Sequence, residues 1–133
     1  MISTKDALEI VTQITTAQRQ KQQPVAIALC DSHGELLVFV KMDGVGLHSG
    51  VLAQNKAYTS ARDQQTTADL GAWSRSSGRS LDYWTDTRFT GFGGGVPLRI
   101  GNQVIGAVGV SGLSEQEDAL LADQIMKLLI GRL

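Results

Sequence analysis

Lys56 and Asp118 are the residues whose types and placement most invite chemistry. Lys56 shares the helical spacing of Ala53, Ala57 and Ser60, a face of small residues that suits close packing, so its ammonium is on the wrong side for a solvated lysine. Asp118 begins the apolar stripe of Leu121, Ala122, Ile125, Leu128 and Leu129, and a carboxylate at the edge of a core needs a partner. Two readings stay open: a structural ion pair, or a pocket in which the pair binds a small carboxylate or poises a proton. His33 and His48 are the only histidines, and with Cys30, Met42 and Tyr83 they are the candidate axial ligands for a haem iron. Neither histidine has a second at metal-ligand spacing, so no zinc site is indicated.

Two tempting motifs fail on context. Gly91-Phe92-Gly93-Gly94-Gly95 resembles a phosphate loop, but Val96-Pro97 and a strand follow where a helix N-terminus would have to converge on phosphate. Ser111 sits in Gly-Val-Ser-Gly, which lacks the G-x-S-x-G of a nucleophile elbow and has no histidine placed as its base.

Elements must position these residues, and the run from Gly93 to Asp118 encodes several of them. Gly101-Asn102 between Val96–Ile100 and Gln103–Val110 predicts a two-residue hairpin in which both residues take positive φ. Gly106 and Gly109 inside the second strand predict that another backbone presses on it. Ser114 and Glu117 form a capping box that opens a helix from Glu115 to about Ile130. Upstream, Ser3 caps a helix with Ala7, Ile10, Val11, Ile14 and Ala17 on one face, and Pro24 ends it. Val25–Cys30 reads as a strand covered on both sides, Asp31-Ser32-His33-Gly34 as a turn, and Glu35–Lys41 as its partner strand. A helix from Ser49 to Arg62 carries Lys56, a short one is expected over Thr67–Trp73, and Ser76–Thr90 yields no assignment. A fifth strand is expected near Phe89–Gly93. The order helix, hairpin, helices, hairpin, helix predicts an α+β fold, one domain of three α/β/α layers.

Composition narrows the classes. The 133 residues suit one domain, and a net charge of -1 without blocks of like charge argues against nucleic acid and anionic membranes as partners. No apolar run approaches membrane-spanning length, no leader segment is evident, and a single cysteine suits a reducing cytoplasm.

Taken in order, CDSHGELL, KMDG and NKAYTSAR between Val25 and Arg62, then GGGVP, GAVGVSG and Asp118, resemble the GlcG/HbpS-like family, which also forms the C-terminal domain of PduO-type proteins. The resemblance implies a profilin-like α/β/α sandwich on a five-stranded antiparallel sheet, assembled as a homo-oligomer. It also implies an accessory role in glycolate, glycerol or diol metabolism, with haem bound by some members and no general catalytic activity. Its motif positions fall on Asp43, Gly44, Lys56, Ala57, Gly94, Gly95, Gly109 to Gly112 and Asp118. Lys41 stands where the family commonly has arginine, and Gly101-Asn102 where it has Asp-Gly. The expected ligand pocket therefore comprises Asp43, Lys56, Gly94, Gly95, Ser111 and Asp118, with His48 and His33 as candidate haem ligands. Two functions follow: a binding protein for haem or a related tetrapyrrole, or an enzyme or enzyme accessory acting on a small carboxylated metabolite through Lys56 and Asp118.

Overall fold

A computed structural model describes all residues from 1 to 133. The chain forms α1 (Thr4–Gln20), β1 (Ala26–Asp31), β2 (Leu36–Lys41), α2 (Ser49–Asp63), α3 (Thr67–Ser77), a single 3-10 turn (Leu81–Trp84), β3 (Gly95–Ile100), β4 (Gln103–Ser111) and α4 (Glu115–Ile130). The strands make one antiparallel sheet in the order β2-β1-β4-β3, which places the second hairpin beside the first strand of the first.

Alternation along the strands divides the sheet into two unlike faces. Val25, Ile27, Leu29, Val108 and Val110 point one way, into an 18-residue core closed by Ile10 and Ile14 of α1 and Ile125 and Leu129 of α4. Ala26, Ala28, Cys30 and Ala107 point the other way and meet Ala53, Ala57 and Ala61 of α2. Small residues on both sides let α2 sit almost on the sheet backbone. A Cβ at Gly109 would stand 2.0 Å from the Ala53 carbonyl oxygen, and one at Gly106 would stand 2.5 Å from that of Cys30. The pressing backbone expected on this strand is thus helix α2 at one glycine and strand β1 at the other.

The predicted caps form. The Ser3 hydroxyl accepts from the Asp6 amide, and Ser114 and Glu117 complete the capping box of α4. Three expectations are corrected. Only Gly101 takes positive φ in the second hairpin, at +61°, so Asn102 turns without entering the left-handed region. Helix α3 continues four residues past Trp73 to Ser77, where Gly78 with φ +71° stops it; the polar Ser74–Ser77 stretch carries no apolar period to reveal the extension.

The sheet has four strands rather than five. Phe89–Gly93 does not pair because side chains claim its backbone: the Thr90 amide donates to Thr59 Oγ1 and the Gly93 amide to Glu115 Oε1, while Gly91 lies against Gly71. Aromatic contacts hold the same segment. Trp73 and Trp84 meet edge to face at 5.1 Å, and the Trp84 indole donates to Asp63 at 3.1 Å.

Tyr58, buried in α2, donates its hydroxyl to the Asp86 carboxylate and carries the Arg88 guanidinium 3.7 Å above its ring. Burial, then the Asp86 hydrogen bond, pushes the Tyr58 phenol above its ordinary 10.0. A raised pKa means the stabilisation is fully present below pH 10.0 and is lost as pH climbs through the raised value. Alkaline ultraviolet titration of the protein minus that of Tyr58→Phe should show tyrosinate absorbance emerging only above the ordinary range. Emergence at 10.0 or below would refute the buried hydrogen bond.

Candidate functional site

Helix α2 carries Lys56 on the stripe that faces the sheet, and the first turn of α4 carries Asp118 beside the end of β4. The two side chains are 1% and 3% exposed and meet at 3.1 Å between Nζ and Oδ2. Lys56 Nζ also donates to the Val110 carbonyl at 2.8 Å, and Asp118 Oδ1 accepts from the Leu113 amide at 3.0 Å. One buried ion pair therefore ties α2, β4 and α4 together. Burial holds the Lys56 ammonium below its ordinary value despite Asp118 beside it. Burial likewise lifts the Asp118 carboxyl, against the pull of Lys56 and the Leu113 amide. Both shifts have the same physical cause, burial that strips water from the charged forms.

Gly94 and Gly95 close over this pair, and the reason is steric. Gly94 has φ +129°, and a Cβ there would lie 2.5 Å from the Val110 oxygen and 2.8 Å from Lys56 Nζ. A Cβ at Gly95 would lie 2.5 Å from the Lys56 carbonyl oxygen and 2.7 Å from Ser60 Oγ, a buried hydroxyl without a partner. The Gly95 amide donates to Thr67 Oγ1 at 2.8 Å.

Lys56, Ser111 and Asp118 line a cleft of about 310 Å³, together with His48, Ser49, Leu52, Phe92 and Glu115. That volume is at the low end for small-molecule sites. Ser111 reaches it because alternation after Ala107 and Gly109 turns the last residue of β4 toward α2. His48 is the N-cap of α2, gives that helix no side-chain cap, and stands exposed at the mouth.

Other expected members lie elsewhere. Asp43 is exposed on the loop after β2 and lines a different groove with Gln18, Arg19 and Lys41, so it does not join Lys56. The turn length of the first hairpin leaves His33 exposed in a shallow depression with Gln64 and Asn102. Met42 is buried with its sulfur accepting from the Val25 amide at 3.4 Å, Tyr83 is exposed on the 3-10 turn, and burial pushes the Cys30 thiol up to about 12. None of these three lines the cleft. The structure adds Ser49, Leu52, Phe92 and Glu115, which the sequence showed only as helix-start and loop residues. No cluster of three or more His, Cys, Asp or Glu able to hold a metal ion is present, and no helix is long and apolar enough to cross a membrane.

Comparison with known proteins gives this geometry its relatives. The family model described as "Haem degrading protein HbpS-like" matches residues 2–127. The uncharacterized 15.0 kDa protein in the dhaT-dhaS intergenic region of Citrobacter freundii is 35% identical over 102 residues, covering 75% of this chain and 72% of that one. Protein GlcG of Escherichia coli K12 is 34% identical over 101 residues, 74% of each chain. Among solved structures, the PduOC:heme complex superposes with a TM-score of 0.84 at 27% identity, covering 96% of this chain and 94% of that one. The chain accordingly belongs to the GlcG/HbpS-like family.

Proposed function

We infer that this protein binds haem or a related tetrapyrrole, in an accessory rather than a self-contained catalytic role. The observation that carries this reading is the exposed His48 imidazole at the mouth of the cleft, set among uncovered apolar side chains. Leu47, next to it in sequence, is 97% exposed, Val51 is 65% exposed one turn along, and Phe92 on the cleft wall is 55% exposed. A flat apolar macrocycle with a metal at its centre needs this combination of an imidazole donor and apolar surface. The residues fit the group. Leu47, Val51 and Phe92 would cover the ring, His48 would meet the iron, and Leu52 would exclude water from the contact. Bound haem would supply an iron centre whose ligation is visible in its absorption spectrum. Similarity to the haem-bound PduOC structure and to the haem-degrading family supports the reading.

Haemin titration of the purified protein provides the test. A saturable Soret shift is expected, abolished in His48→Ala and retained in His33→Ala, because His33 lies outside the cleft. A spectrum that stays that of free haemin removes the proposal, and a shift lost instead in His33→Ala moves the ligand to the hairpin turn.

A further inference from the structure

The inner end of the cleft has a chemistry that its apolar mouth does not share. Ser49 and Ser111 are 2% and 3% exposed as residues, and both line the cleft. The fully buried hydroxyl without a partner is that of Ser60, whereas those of Ser49 and Ser111 belong to the cleft lining on facing elements, where they can bond to what enters it. Lys56 adds to them: its ammonium carries three donors and spends two, on Val110 and Asp118. The N-terminus of α2 opens here without a side-chain cap and without an acidic residue in its first turn. It therefore favours an acceptor oxygen. At the opposite wall, Glu115 accepts the Gly93 amide through Oε1, leaving Oε2 as an acceptor for a ligand hydroxyl.

Charge decides which ligand these groups suit. Asp118 already cancels Lys56, and Glu115 adds a further negative charge to the same small space. A carboxylate entering it meets two acids against one lysine. An uncharged molecule meets no such repulsion, and its hydroxyls can both donate and accept. We propose that the inner end of the cleft is a binding site for a small uncharged polyhydroxylated molecule, held by Ser49, Ser111, the spare Lys56 proton and Glu115. The site shares the cleft with His48 and Phe92 but holds its ligand through other side chains than those that would cover a macrocycle.

Glycerol and glycerate are matched probes, alike except for a carboxylate in place of one hydroxymethyl group. In amide chemical-shift titrations of the labelled protein, glycerol is expected to give saturable shifts at Ser49, Leu52, Ser111 and Gly112. Glycerate should bind about tenfold more weakly, the size expected when a charge-assisted contact is replaced by repulsion. Ser111→Ala, a small change that keeps the fold, should weaken glycerol by about tenfold and leave the haemin Soret titration unchanged. Glu115→Gln should narrow the gap between the two probes. Glycerate binding as tightly as glycerol, shifts scattered outside the cleft, no saturation, or undiminished glycerol binding in Ser111→Ala would each overturn the site. Failure of the haemin titration would leave these outcomes untouched, so the two readings fall separately.

Discussion

Lys56→Ala is expected to lower the unfolding free energy by about 3–5 kcal/mol, because it leaves the Asp118 carboxylate in a space that is 3% exposed. Truncation also opens a cavity beneath Gly94, which adds to the loss. Asp118→Ala should cost a similar amount, since it strands the ammonium and removes the acceptor of the Leu113 amide. Losses of this size approach the whole stability of many small domains. Urea unfolding of the two variants measures them. A double replacement, Lys56→Met with Asp118→Leu, should recover a large part of the loss, because removing both charges leaves nothing buried and unpaired. That recovery separates an electrostatic clip from a packing defect. A loss below about 0.5 kcal/mol for Lys56→Ala would mean that the lysine is solvated and the ion pair absent.

Gly109→Ala should be nearly as damaging through geometry alone. The added methyl would sit 2.0 Å from the Ala53 oxygen and 2.6 Å from the Ala57 nitrogen, both backbone atoms of α2, so no side chain can move aside. Relief requires the helix to lift from the sheet, and a cost of about 3 kcal/mol, the upper end of ordinary overpacking, is expected. Gly131→Ala is the control: its methyl would meet nothing nearer than 3.5 Å, φ is −62°, and the change should stay within about 0.5 kcal/mol. Thermal melts of the two variants decide the matter. Equal melting temperatures would show that α2 does not press on β4. Lifting α2 also moves Ser49 and Lys56, so ligand affinity should fall along with stability.

Periodicity made most of this fold readable. The α1 and α4 stripes, both hairpins and the capping box at Ser114 depend on contacts within a few residues, and such signals lie in the local sequence. The Lys56–Asp118 meeting was legible for a different reason: each charge breaks an apolar or small-residue face, and two opposite misfits in one domain tend to find each other. The segment from Ser74 to Gly93 was illegible because long-range side chains hold it. Asp63 bonds Trp84, Tyr58 bonds Asp86, Thr59 bonds Thr90 and Glu115 bonds Gly93, at separations of 21 to 31 residues, and none leaves a local period. The fifth strand was expected there for want of those partners. Asp43 was grouped with Lys56 on kinship alone, and the loop after β2 carries it to another groove. Ser49 and Glu115 escaped notice because capping explains such residues adequately until the cleft between the two helix starts is seen.

The contrast between the two faces of the sheet sets unequal freedom for change. On the side of α1 and α4, interdigitated branched side chains can be exchanged for others of similar volume, so that half of the molecule can drift or be redesigned with modest penalty. On the side of α2, alanine and glycine already bring main chain against main chain, and no larger residue can replace them without moving the helix. Substitutions tolerated by this domain should therefore accumulate behind the sheet, while the layer that bears the cleft stays nearly frozen.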